Sequence, residues 1–178
     1  IYLISMFVNF KKEDMAIAPY VIISSLANTA WIFMWHYKLL YISVIFMLII
    51  LASLIMIAIK LNKPEVSLVK KIPFNIYLGW ISVASIANIA GALYTANWNG
   101  FGIAPEIWSA IMIVIATALA VVALIKKNVA YTLVILWALI GIVVKFQGIS
   151  DIVTIVGIFA SVAITLFMGY KLFKKSNI

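Results

Sequence analysis

An all-α fold, a polytopic bundle of transmembrane helices, is what this sequence predicts, and three observations carry the prediction. Hydrophobic residues make up 67% of the chain and charged residues 10%, whereas a soluble domain is nearer half apolar and a quarter charged. The apolar residues gather into seven runs, the first of them short. The lysines fall between the runs and not within them. At 178 residues this describes one bundle of about seven helices with no room for a separate soluble domain. The absence of cysteine excludes a disulfide framework, thiol chemistry and a thiolate-bound metal. The net charge of +8 is no nucleic-acid footprint, because the lysines occupy short loops. There they set orientation and meet anionic headgroups, so the partner expected is the lipid bilayer and not nucleic acid.

The first run, residues 1–10, is about half a span long before Lys11, Lys12, Glu13 and Asp14 end it. It reads as the tail of a helix that begins before Ile1, since no charged segment precedes it as a signal peptide requires. The second run, residues 18–37, places Asn28, Trp31 and Trp35 at i, i+3 and i+7, on one helical face. It closes with Trp35, His36 and Tyr37 against Lys38, an aromatic belt at a headgroup boundary. His36 is the single histidine, and without a second ligand type beside it the residue reads as solvated and interfacial, not as a metal or haem ligand.

The third run, residues 39–59, carries only Ser43 and Ser53 as polar groups and reads as a lipid-facing wall. Residues 60–71 form the longest polar connection, with Pro64 as breaker and four lysines. The fourth run, residues 72–98, sets Tyr77, Trp80, Ala84 and Asn88 at i, i+3, i+7 and i+11, again one stripe. Asn88 matters most, because an amide in hydrocarbon is unfavourable unless something hydrogen-bonds it. Either another helix or a bound molecule satisfies it, and the residue types leave both open.

The connection NWNGFGIAPEIW has no lysine. Gly100, Gly102 and Pro105 give it turn character, while Trp98, Phe101 and Trp108 suit an interface. The fifth run (107–125) is rich in alanine, valine and isoleucine and ends at Lys126 and Lys127. The sixth (129–144) carries Trp137 and Gly141 and ends at Lys145. The seventh (152–173) offers Gly157, Ala160 and Ala163 for close helix contact, short of a strict GxxxG.

The lysines also predict orientation. Lys11, Lys12, Lys60, Lys63, Lys70, Lys71, Lys126, Lys127, Lys171, Lys174 and Lys175 collect on one side, and Lys38 and Lys145 on the other. The first side is expected in the cytoplasm of a cell-membrane protein, with the C-terminus on that side and residues 97–108 outward. Charged groups are missing from the middle of every run: Glu13, Asp14, Glu65, Glu106 and Asp151 fall in loops or at helix ends. That counts against a proton- or ion-coupled transporter. No phosphate-binding glycine loop and no serine–histidine–acid set is present, which counts against an ATPase or hydrolase. Leu166, Tyr170 and Lys174 match a proposed sterol pattern, but read as a helix end with aromatic and basic anchors.

The second to fourth runs together resemble the TspO/MBR family, the tryptophan-rich sensory proteins and translocator proteins that include the peripheral-type benzodiazepine receptor. The family's third helix carries LN-x-x-W followed by aromatics, matched here by Ala27, Asn28, Thr29, Ala30 and Trp31 with Phe33 and Trp35. An apolar fourth helix follows, as residues 41–59 do here. The fifth reads P-Y-x-x-W-x-x-x-A-x-x-x-N, matched by Tyr77, Trp80, Ala84 and Asn88. Ile1, Tyr2, Leu3 and Met6 look like the later part of the second helix. Pro73 departs by standing four residues before Tyr77, and Ala87 replaces a leucine. The family's first helix and its W-x-P-P loop have no counterpart in these 178 residues.

The resemblance implies residues 1–100 as a TspO-like transmembrane core, with 101–178 as additional transmembrane helices of the same bundle. It also implies a pocket among the helices for a planar hydrophobic small molecule, a porphyrin or haem, with no cofactor required. The lining carried over by motif is Tyr2, Asn28, Trp31, Trp80, Ala84 and Asn88, with Tyr77 on the same stripe. Indoles offer flat polarisable faces, Ala84 leaves room, and two amides can bond a ligand's polar edge. The expected function is a sensor or receptor-like binding protein, and a homodimer is allowed for. The alternatives are a small permease for hydrophobic metabolites and an enzyme that degrades the porphyrin. Net flux into sealed vesicles would mark the permease, and new absorbing products under light the enzyme.

Overall fold

The computed structural model describes residues 12–176. Among them are α1 (Lys12–His36), α2 (Leu40–Leu61), α3 (Leu68–Thr95), α4 (Pro105–Ile125), α5 (Val129–Phe146) and α6 (Asp151–Ser176), with a short 3-10 turn at Gly100–Gly102. All six helices are long and apolar enough to cross a membrane, as the runs predict. The first run, and Tyr2 with it, lies outside the described residues. The helices α1 and α3 start earlier than the runs suggest and carry Pro19 and Pro73 inside them. Membrane helices tolerate interior proline because neighbouring helices and local adjustments satisfy the freed backbone groups.

Two of the connections stop their helices in the same way. After α1, Lys38 takes a left-handed φ of 58°, its N–H donates to the Trp35 carbonyl at 3.0 Å, and Leu39 N–H donates to Met34 O at 2.8 Å. After α4, Lys127 takes φ 61°, with Lys127 N–H to Leu124 O at 3.0 Å and Asn128 N–H to Ala123 O at 2.8 Å. Both are Schellman closures, with lysine where glycine is usual. A lysine there keeps its ammonium in the headgroup layer while the chain reverses.

The chain forms two compact units, Ile1–Asn97 and Trp98–Ile178. In the first, α1 and α3 each pack along α2. The buried face of α2 is a continuous stripe of Ser43, Met47, Ile50, Ser53, Leu54, Ile57 and Leu61. This corrects the expectation of a lipid-facing wall: α2 carries a buried face and packs against both α1 and α3, and only its other faces are exposed. A helix that is apolar all round gives no polarity contrast by which its packed side can be told from its lipid side.

In the second unit α4, α5 and α6 pack pairwise against one another. Their core holds Ile113, Ala116, Ala120 and Leu124 of α4, Tyr131, Thr132, Ile135 and Leu139 of α5, and Val153, Ala160 and Ile164 of α6. Thr132, fully buried, shares its hydroxyl proton between Ala120 O at 3.1 Å and Asn128 O at 3.2 Å, which ties α5 to α4. Gly157 is needed where α6 meets α5, since a Cβ there would stand 2.7 Å from Val143 Cγ2.

Candidate functional site

The polar groups singled out on α1 and α3 meet, and a third helix joins them. Trp31 Nε1 donates to Asn88 Oδ1 at 2.7 Å. Asn88 Nδ2 donates to Ser43 Oγ at 2.8 Å, and the Ser43 hydroxyl lies 3.3 Å from Asn88 Oδ1 while donating to Leu40 O at 2.7 Å. One amide therefore connects α1, α2 and α3. Asn88 is 2% exposed and Ser43 fully buried, so these bonds replace water that hydrocarbon cannot supply. Trp31 also stacks on Trp35 one turn along, with ring centroids 5.8 Å apart and planes at 29°.

A second bridge joins α1 to α3 at the other end. Lys70 Nζ donates to Asp14 Oδ2 at 2.5 Å, and both residues are buried. Asp14 and Lys70 stand two residues inside the starts of α1 and α3, in the end position expected of them, but paired and shielded from solvent. Lys60 lies over the Tyr20 ring, 5.4 Å from its centroid, on the same side of the unit. From Asp14 to Trp31 is about 25 Å along α1, and from Lys70 to Asn88 nearly the same along α3.

The remaining predicted residues behave differently. The buried face of α3 centres on Phe74, Leu78, Ile81, Ser85 and Ala92. At 100° per residue, Asn88 stands about 40° from that centre, Tyr77 about 60°, Ala84 about 80° and Trp80 about 120°. Tyr77 and Ala84 are half-buried and Trp80 is 48% exposed. The stripe thus follows one edge of the packed face and leaves it at Trp80. On α1, Asn28 is half-buried, close to the middle of its span, and its side chain makes no hydrogen bond among the described residues. The six predicted positions among the described residues divide accordingly. Trp31 and Asn88 lock helices together, contacting each other directly instead of across a gap. Asn28, Tyr77, Trp80 and Ala84 present an indole, a phenol, an unbonded amide and a small gap-leaving residue at the edges of the packed faces.

Ser43, Asp14 and Lys70 are the residues that sequence reasoning did not assign to the site. Depth along the helices was the available signal. Trp31 is five residues before the end of α1, Ser43 three after the start of α2 and Asn88 seven before the end of α3, all within about 10 Å of the same membrane edge. Asp14 and Lys70 are matched in the same way at the opposite edge.

Comparison with known proteins decides the family. The family described as TSPO-like protein matches residues 1–170, a stretch that takes in both units. The chain belongs to the TSPO-like family. The TspO/MBR resemblance read from Asn28–Trp31 and from Tyr77–Asn88 is borne out, and the match continues through α4, α5 and most of α6. No curated protein and no solved structure matches the chain. Membership places a TSPO-like protein in a bilayer as a multi-pass protein of sensor or receptor type.

Proposed function

We propose that this TSPO-like protein binds a planar hydrophobic molecule of the porphyrin or haem kind against the edges of α1 and α3, and acts as a receptor for it. One observation carries the reading: the Asn28 amide, deep in its span, has no hydrogen-bond partner among the described residues. An amide at that depth requires a partner, and a ligand's polar edge supplies one. Trp80 and Tyr77 give the flat aromatic faces that a macrocycle stacks on, and Ala84 one turn beyond Trp80 keeps the surface shallow. The Trp31–Asn88–Ser43 bonds hold the helices that carry these groups, which is the support a binding surface needs to keep its shape.

Quenching of tryptophan fluorescence by added protoporphyrin tests this. Trp80→Ala should weaken binding by about 1–3 kcal/mol, roughly 5- to 150-fold in Kd, through lost aromatic contact and area. Ala84→Phe should abolish binding by filling the stacking surface. Asn28→Leu should weaken binding while leaving unfolding unchanged, because it breaks no hydrogen bond among the described residues. Leu51→Ala on α2 serves as control and should leave binding as in the parent. Parent-like binding in all three site variants would end the proposal.

A further inference from the structure

The connection between α3 and α4 holds an ordered aromatic cluster that takes no part in the proposed ligand site. Trp108 Nε1 donates to Gly100 O at 2.9 Å. The Trp98 ring lies 5.3 Å from Trp108 and, edge to face, 5.3 Å from Phe101. Asn99 caps the turn: its side-chain oxygen accepts from Phe101 N–H at 3.1 Å, and its carbonyl accepts from Gly102 N–H at 3.0 Å. Gly100, at φ +63°, leaves room for the indole, since a Cβ there would come within 3.2 Å of Trp108 Nε1. These bonds hold Phe101 at φ 56°, ψ 29°, a left-handed conformation unfavourable for a bulky side chain. The result is a phenyl ring 78% exposed at the tip.

A strained backbone that presents an aromatic ring outward persists where the ring gains from its surroundings, and water offers it nothing. Helix α4 has 21 residues from Pro105 to Ile125, about 31 Å, close to the hydrocarbon thickness. Lys126 and Lys127 bound its far end, so Pro105 falls at the opposite boundary and Phe101, four residues further out, in the interfacial layer. The segment 98–108 has no lysine and only Glu106 as a charge, while Ile103 and Ile107 are exposed beside the turn. Aromatic rings are favoured at that depth. We propose that the Gly100–Gly102 turn is an interfacial wedge: Phe101 inserts among the lipid headgroups and upper acyl chains of that leaflet. Trp98 and Trp108 sit at the same depth, and the turn fixes how far α4 sinks into the bilayer. This inference is independent of the ligand proposal.

The chain has no cysteine, so Phe101→Cys and Ile103→Cys each give a single nitroxide-labelling site in the otherwise intact protein. In phosphatidylcholine vesicles, power saturation should show both labels several-fold more accessible to oxygen than to a water-soluble nickel chelate. A label at Lys63→Cys in the polar connection should show the opposite. Ile103 has an ordinary extended backbone, so that site reports even if Phe101→Cys fails to fold. Greater accessibility to nickel than to oxygen would overturn the wedge, as would exclusion of both reagents, the mark of a protein partner covering the turn.

Discussion

Replacing Asn88 with leucine separates a helix-locking amide from a ligand-facing one. The substitution keeps the branched heavy-atom skeleton of the side chain and opens no cavity, so the expected loss comes from hydrogen bonds. Two strong bonds disappear: Trp31 Nε1 to Oδ1 at 2.7 Å and Nδ2 to Ser43 Oγ at 2.8 Å. Interhelical bonds in membrane proteins average about 0.6 kcal/mol and reach about 1.7. Ser43 keeps its bond to Leu40 O and loses little. The Trp31 N–H is stranded, at a cost of about 1 kcal/mol, the low end for an unsatisfied donor because the indole is only half-buried. The total is about 2 kcal/mol. Reversible unfolding of purified protein in mixed micelles, titrated with sodium dodecyl sulfate, would measure it. Trp31→Phe made in the Asn88→Leu background should cost about 1 kcal/mol less than in the parent, because the bond it removes is already gone. If the two effects add to within about 0.3 kcal/mol, the Trp31–Asn88 bond does not lock these helices and the reasoning fails.

The other predictions use the same preparation or whole cells. Asp14→Asn or Lys70→Met alone should destabilise by about 3–5 kcal/mol, since each removes one half of a buried ion pair, whereas Asp14→Leu with Lys70→Met together should recover most of the loss; a double variant as unstable as the worse single one would argue against the pairing. Reporter fusions after Lys71 and Lys175 should read as cytoplasmic and a fusion at Asn99 as external, from the lysine asymmetry. A cytoplasmic reading at Asn99 would reverse the orientation.

The spans, the close of α1 at Trp35–Tyr37 and the importance of Asn88 were legible because each depends on residue type and spacing within one run. What satisfies Asn88 was not, because that depends on which helices are neighbours. Ser43 looked incidental in a run where every face is apolar, and only packing reveals that it points at the unit's centre. The departure of Trp80 from the packed face has a geometric cause. Spacings of three, seven and eleven read as one stripe, yet they spread over about 80° of helix surface, enough for one end to be buried and another exposed. Asp14 and Lys70 looked like ordinary boundary charges, since sequence shows depth but not burial.

The two bridges between α1 and α3 also limit how the pair can move. Sliding one helix past the other by a turn, about 5.4 Å, would break the Asp14–Lys70 and Trp31–Asn88 contacts together, so a piston stroke is disfavoured at both ends at once. A rod pinned near each end can still bow between the pins. Pro19 lies five residues beyond Asp14 and Pro73 three beyond Lys70, and each removes a backbone hydrogen bond where such a flexure would start. Any signal carried along this pair therefore travels as a sideways bend of its midsection, where Asn28 and Trp80 stand.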